Sequence, residues 1–396
     1  MNGPRPFRVQ VEEREIARLR ARLSDARWPD EVNDNEWSYG MRGDYLRELT
    51  SYWRDGFDWS AAETSINAFD QFLIDIDGLD LHFIHQRSPH KEATPLILTH
   101  GWPGSIVEFL EVIPRLTSPD RFGGRAEDAF HVVCPSLPGY TYSHASRVPG
   151  MHPGTIAARH AKLMAGLGYK RYIAQGGDWG SPVTRIIAEQ DPEHCCAIHL
   201  NLLPPVPPSD LQDPISVLTE RDLAWIRANE LFERHGKGYM HMQNTRPQTL
   251  AYALSDSPVG LCAWIAEKFH FWSDCERNGS RDIRNAISWD RLLTNVSLYW
   301  FTGTIASSIR LYREFSEARA RREIEAPKKT ATPTGVAIYP GEIVKCPRAW
   351  AERVCSLVHW FEGERGGHFA AMEQPQIFSE DLWTFHRKVT QKSSME

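Results

Sequence analysis

Nowhere in this 396-residue chain do uninterrupted apolar residues approach the ~18 that a membrane-crossing helix needs. Met1 to Arg20 mixes Arg, Glu and Pro with no apolar run, so neither a secretory signal nor an N-terminal membrane anchor is expected. A basic block is missing too. Lys and Arg number 45 against 51 Asp and Glu, a net charge of −6, which is a poor surface for nucleic acid. The seven cysteines, at 134, 195, 196, 262, 275, 346 and 355, are odd in number and form no C-x-x-C or C-x-x-H pair. Neither a metal site nor a disulfide framework is expected. Each thiol reads as a small buried apolar group, and a reducing cytosol is the natural setting. Internal repeats and low-complexity runs are absent. So is any serine with glycine two residues to either side, which argues against the serine chemistry of esterases, lipases and peptidases.

What is present is an ordinary globular composition, 41% hydrophobic and 24% charged, in a chain longer than one typical domain. The 14 Trp, 12 Tyr and 17 Phe require a large core, a lined pocket or both. Residues 1–92 read as helices followed by a hairpin. Ile16, Leu19 and Leu23 recur at helical spacing, and Tyr45, Leu46, Leu49, Tyr52 and Trp53 do so behind Asp44, an expected N-cap. Ser60 and Glu63 have the spacing of a capping box. Two strand-like runs, 72–76 and 81–85, flank Asp77-Gly78, a hairpin turn signal.

Over 93–205 short apolar strands (95–99, 130–134, 172–175, 197–202) alternate with helical stretches (156–167, 182–189). Continuous apolar strands between helices predict an α/β fold with a mostly parallel sheet covered on both faces. Four prolines within residues 204–208 interrupt the alternation. Residues 206–325 are helical and rich in aromatics, which suits a lid inserted into the core. Residues 326–396 resume the alternation with strands at 335–339 and 357–361 and a closing helix over 378–389.

Gly176-Gly177-Asp178-Trp179-Gly180 lies between a strand and a helix and has the form G-x-D-x-G. It matches the nucleophile elbow G-x-S-x-G with Asp at the apex. A carboxylate is ionised at neutral pH and can open a strained ring at saturated carbon, leaving an ester that water must then attack. His100-Gly101-Trp102-Pro103-Gly104-Ser105 follows another strand, so the backbone N–H groups of Trp102 and Trp179 are candidate oxyanion donors. His100 reads as a structural residue of its turn. The general base is expected late in the chain, and His368 in Arg365-Gly366-Gly367-His368-Phe369 fits. Of Glu342, Glu352, Glu362 and Glu364, Glu342 directly follows a strand and is the expected partner of His368.

These residues, together with longer motifs, resemble the microsomal-type epoxide hydrolases of the αβ-hydrolase superfamily. The matching stretches are HGWPGS at 100–105, PSLPGYTYS at 135–143, QGGDWGS at 175–181, GYMHMQ at 238–243, DSPVGLCAWI at 256–265, LLTNVSLYW at 292–300, RLYRE at 310–314, YPGE at 339–342 and RGGHFAAMEQP at 365–375. The similarity runs in order through nearly the whole chain and includes the N-terminal segment. It implies an αβ-hydrolase fold with a helical cap and an N-terminal segment that wraps the core. It implies Asp178 as nucleophile, His368 as base, Glu342 as the acid behind it, and Tyr239 and Tyr312 as cap tyrosines that hold the epoxide oxygen. The products are a vicinal diol and regenerated enzyme, with no cofactor and no metal. Epoxide and water are the only partners, and a homo-oligomer is compatible with the sequence. The stretch from RPFRVQ to YWRDGFDW also resembles enzymes that open epoxides in actinobacterial enediyne-antibiotic pathways. Two rivals are weighed against this reading. A haloalkane dehalogenase also uses an Asp nucleophile beside a Trp but has no use for paired tyrosines. A non-catalytic binding protein of the same fold usually loses a member of the set. The aromatic lid favours bulky, apolar epoxides.

Overall fold

The computed structural model describes residues 3–32, 37–325 and 329–393. The N-terminal segment contains β1 (Arg5–Phe7), α1 (Glu13–Ser24), α2 (Gly43–Asp55) and α3 (Trp59–Ile66). It ends in the hairpin of β2 (Gln71–Ile76) and β3 (Leu79–Gln86). At the turn both Asp77 and Gly78 have positive φ, 53° and 79°, the conformation that two-residue hairpins of this kind require. Two cap assignments differ from expectation. α2 starts one residue before Asp44, behind Arg42, so Asp44 sits in the first turn and accepts from the Tyr45 N–H. α3 is capped by Asp58, whose side chain accepts from the Ala61 N–H. Glu63 is drawn away from any capping box, because it accepts from the Val11 N–H and from Trp59 Nε1.

The core follows as β4 (Thr94–Thr99), α4 (Val112–Thr117), β5 (Phe130–Pro135), α5 (Pro153–Gly166), β6 (Tyr172–Gly176), α6 (Gly180–Gln190) and β7 (Cys195–Leu200). The six helices α7 (Glu220–His235), α8 (Gly238–Thr245), α9 (Pro247–Asp256), α10 (Pro258–Trp272), α11 (Trp289–Thr302) and α12 (Ile305–Ala320) come next. A small ribbon of β8 (Glu276–Arg277) and β9 (Ser280–Arg281) lies between α10 and α11. Then β10 (Thr330–Ile338), α13 (Arg348–Val354), β11 (Cys355–Glu362), α14 (Ala370–Glu373) and α15 (Pro375–Ser393) complete the chain.

Nine strands form one sheet in the order β1-β2-β3-β5-β4-β6-β7-β10-β11. β5 through β11 pair in parallel, while β1, β2 and β3 extend the β5 side as an antiparallel edge. The N-terminal segment is therefore continuous with the core sheet as well as packed around it. Strands such as β4 and β6 are apolar and almost fully buried because helices cover both faces. α5 packs on α6, and α4 packs on α15.

The tryptophans explain how the N-terminal helices grip the insertion. Trp53 Nε1 donates to Ser297 Oγ of α11 at 2.9 Å, and Trp59 meets Phe301 at 4.9 Å between ring centroids. Trp289 Nε1 donates to the Tyr45 hydroxyl at 3.1 Å, and Trp37 stacks on His270 at 3.6 Å. No helix among the described residues is long and apolar enough to cross a membrane.

Candidate active site

The turns after β4, β6, β10 and β11 lie at the carboxyl edge of the parallel sheet, where this class of fold collects its reactive groups. Asp178 stands at the apex between β6 and α6 with φ 47°, a strained conformation for a non-glycine residue. The flanking glycines are sterically required. A Cβ on Gly176 would stand 2.2 Å from the Gly180 carbonyl oxygen, and one on Gly180 would stand 1.9 Å from the Thr99 carbonyl oxygen. The carboxylate of Asp178 sits at the start of α6, where the helix dipole favours an anion.

The Trp102 N–H donates to Asp178 Oδ1 at 2.7 Å. The Trp179 N–H bonds neither carboxylate oxygen among the described residues. His368 Nε2 lies 3.3 Å from Asp178 Oδ2, and His368 Nδ1 is bonded to Glu342 Oε1 at 2.6 Å. The His368 and Glu342 side chains are buried, whereas that of Asp178 keeps 18% of its surface. Burial lowers the His368 pKa, but the Glu342 charge and the contact with Asp178 outweigh it and hold the imidazole well above its ordinary range. The competing carboxylates are engaged elsewhere, Glu352 with Arg348 and Glu362 with Arg221, and Glu364 is exposed. His100 is structural. Its Nε2 accepts from the Leu137 N–H, its Nδ1 contacts the Gly101 carbonyl, and burial lowers its pKa to about 4.

Tyr239 of α8 and Tyr312 of α12 come together at 5.8 Å between ring centroids. Trp102 stacks on Tyr239 at 5.4 Å and meets Tyr312 edge-on at 5.8 Å, while Trp179 meets Tyr312 at 4.7 Å. Burial, then the Asp178 charge, pushes the pKa of Tyr239 far above its ordinary value. Burial likewise raises Tyr312, with the neighbouring Tyr239 and Asp178 adding to it. Both phenols therefore keep their protons as donors. Trp272 joins the two halves, with its ring 5.3 Å from Tyr239 and 5.0 Å from His368.

Residues 4–109 match the family described as epoxide hydrolase N terminus, and residues 94–236 match that described as alpha/beta hydrolase fold. A Stigmatella aurantiaca protein, provisionally named an epoxide hydrolase, is 43% identical over 98% of this chain and 86% of its own. Epoxide hydrolase 1 of Sus scrofa is 37% identical over 96% of this chain and 88% of its own. The chain belongs to the epoxide hydrolase family. Its solved neighbours agree. The juvenile hormone epoxide hydrolase of Bombyx mori superposes with a TM-score of 0.91 at 30% identity, covering 99% of this chain and 96% of the other. The epoxide hydrolase of Aspergillus niger gives 0.86 at 31%, covering 98% and 97%.

Sequence reasoning passed over the groups that hold this enzyme's turns in place. Asn295 Nδ2 donates to the Pro103 carbonyl at 2.7 Å, Ser105 Oγ donates to Asn295 Oδ1, and the Tyr299 hydroxyl donates to the Gly104 carbonyl at 2.6 Å. The LLTNVSLYW stretch thus braces the turn that presents the Trp102 N–H. The PSLPGYTYS turn is tied to the start of α12, the helix of Tyr312. There the Ser307 hydroxyl donates to the Gly139 carbonyl, and the Thr141 N–H donates to the Thr304 hydroxyl. The His368 loop is held by Asp274, which accepts from the Gly366 N–H and Arg365, and by Glu373, which accepts from the Asp274 and Phe369 N–H groups. A small cavity beside Asp178 and His368 is also lined by Asn201 and Glu108, whose carboxyl is pushed up to about 8 by burial.

Among the described residues, His199, His359 and Asp381 form the one cluster of His, Cys and acidic groups close enough to share an ion. Apart from His199 Nδ1, its ring nitrogens and carboxylate oxygens are already engaged. The two Nε2 atoms bond separate oxygens of Asp381, and the Lys388 ammonium donates to His359 Nδ1. A cation would have to displace all three bonds beside a positive charge.

Proposed function

We propose that the chain hydrolyses an epoxide to a vicinal diol through a covalent ester at Asp178. Tyr239 and Tyr312 bind and polarise the epoxide oxygen, and Asp178 attacks a ring carbon. Esterification removes the Asp178 charge, so one of the influences that raise the His368 pKa disappears and more of the imidazole is neutral and free to accept a proton. His368, oriented by Glu342, then takes a proton from water as it adds to the ester carbonyl, with the N–H groups of Trp102 and Trp179 as oxyanion donors.

The observation that carries this reading is the environment of one carboxylate. Asp178 has a backbone N–H on Oδ1 and an imidazole facing Oδ2, and the imidazole is backed by a buried Glu. The reaction needs no cofactor or metal, only epoxide and water, and a reducing cytosol suits it. The rings gathered beside Asp178, those of Trp102, Trp179, Tyr239 and Tyr312, favour bulky, apolar epoxides. The likeness of the N-terminal stretch to enediyne-pathway enzymes extends the proposal to secondary metabolism. The reading keeps a four-part division of the chain at 1–92, 93–205, 206–325 and 326–396.

A single turnover in heavy-oxygen water tests the ester. The label is expected in the Asp178 carboxylate after the first cycle, with an unlabelled diol. Label entering that first diol directly would rule the ester out. Replacing Tyr239 and Tyr312 together by Phe separates this reading from dehalogenase chemistry, because ring opening should collapse while displacement of halide should largely survive.

A further inference from the structure

Lys268 of α10 has no part in the mechanism above, yet its side chain is only 8% exposed and points among rings. Its Nζ stands 4.6 Å from the Tyr239 ring centroid, 5.6 Å from that of Trp264 and 5.9 Å from that of Trp272. Trp264, Lys268 and Trp272 recur at every fourth residue and so share one face of the helix. They meet Tyr239 and Gln243, also four apart, on α8. Trp264 Nε1 donates to Gln243 Oε1 at 3.0 Å, and Trp272 packs on Tyr239. Glu267 pairs with the ammonium, so the buried charge is not isolated.

We propose that Lys268 is a positioning residue for ring opening, a fixed cation that stabilises the negative charge Tyr239 acquires as it protonates the epoxide oxygen. The inference rests on the reading of Tyr239 as that donor. In ester formation an electron pair of Asp178 makes the new C–O bond. The ring C–O bond breaks toward its oxygen, and that oxygen takes the Tyr239 proton. Negative charge has then moved from the carboxylate to the phenol. It returns when water adds to the ester carbonyl, the diol leaves, Asp178 is regenerated as the anion and the released proton restores Tyr239. Only the first step loads charge onto Tyr239, and burial leaves that phenol little water to solvate it. A cation held over the ring supplies the missing counter-charge, opposed in part by Glu267.

Stopped-flow single turnovers with an aryl epoxide, followed by tryptophan fluorescence, separate ester formation from hydrolysis. Lys268→Met is expected to slow ester formation about ten- to a hundredfold while hydrolysis stays within about twofold, and Lys268→Arg should recover most of the loss. In a Tyr239→Phe background Lys268→Met should have no further effect. An unchanged rate of ester formation in Lys268→Met, an Arg variant as slow as the Met variant, or the same fold loss in both backgrounds would each overturn the inference. If Tyr239→Phe alone leaves ester formation intact, the reading of Tyr239 fails. A slow Tyr239→Phe beside a fast Lys268→Met removes Lys268 alone. Thermal unfolding accompanies each variant, and Lys268→Gln takes over the same test if the Met variant does not fold.

Discussion

Two clusters of histidine and carboxylate are buried in this molecule, and they are built from the same parts. In one, His368 is held by Glu342 and faces Asp178. In the other, His199 and His359 share Asp381 beneath α15. They differ in what is left over. In the second cluster both oxygens of Asp381 accept from imidazoles and Lys388 satisfies the far side of His359, while His199 Nδ1 is buried without a partner. In the first, His368 Nε2 has no satisfied hydrogen bond, and the carboxylate it faces lines a cavity. Position explains the difference. Asp178, Glu342 and His368 follow the carboxyl ends of β6, β10 and β11, whereas His199 and His359 lie within β7 and β11, where α15 closes over them. Each cluster holds a buried imidazole nitrogen without a partner, so burial and hydrogen bonding alone would rank them alike. What sets the first apart is the cavity that its carboxylate and imidazole line.

Activity and stability should therefore separate between the clusters. Asp178→Asn is expected to lower turnover by at least ~10⁴-fold with little change in thermal unfolding, because the side chain keeps its shape and loses its nucleophile. A variant that loses its fold instead would erase the distinction. Glu342→Gln should cost roughly 10²–10⁴-fold in the hydrolysis step. Its pH profile carries a sign as well. Glu342 is the strongest influence raising His368 against burial, so without it the imidazole pKa falls. The acid limb of the hydrolysis step should move to lower pH, and a limb that stays or rises would show that Glu342 does not control His368.

The cluster of Asp178, His368 and Glu342 was far more legible in the sequence than its supports were. Asp178 announces itself because the strained elbow needs glycines at fixed offsets, and His368 and Glu342 follow from their places after the last two strands. Tyr239 and Tyr312 came from resemblance alone, since a tyrosine on a helix carries no mark of what it faces. Asn295, Tyr299, Asp274 and Glu373 had no local signal. Each acts on backbone groups far away in the chain, as Asn295 does across 192 residues on Pro103. The sheet core was read correctly from apolar runs bounded by turns, while β1 was missed because three residues carry no periodicity. The two cap errors differ in cause. Glu63 was taken by Val11 and Trp59, whereas Asp44 lies one residue inside its helix and bonds its neighbours Arg42 and Tyr45.

Asp381→Asn strikes the closed cluster. Removing the charge that two imidazoles share should destabilise the fold by about 3 kcal/mol, measured by denaturant unfolding, with turnover nearly unchanged. Burial raises the Asp381 pKa, but the two histidines outweigh it and hold it below the ordinary carboxylate range. A depressed carboxylate stabilises the fold above its unfolded pKa and loses that contribution as pH falls through its folded value. The gap between wild type and variant should accordingly be full at neutral pH and shrink below about pH 4. A gap that persists in acid, or a large loss of turnover, would place the cluster's role elsewhere.

Lys388→Met should have the smallest effect. Lys388 is exposed on α15, and its ammonium donates to His359 Nδ1 at 2.9 Å. Once the lysine is gone, water can reach the nitrogen from the same side, so no buried polar atom is stranded. An exposed donor that solvent can replace contributes little, and the expected loss is below about 1 kcal/mol with no change in turnover. The value is best taken as a double-mutant cycle with Asp381→Asn. If Lys388 matters only by fixing which His359 nitrogen carries the proton, its effect should vanish in the Asn background, where His359 no longer needs to donate to a charge. Additive losses would show instead that Lys388 stabilises α15 directly. The contrast with the first cluster would then reduce to a single difference, the cavity beside Asp178 and His368.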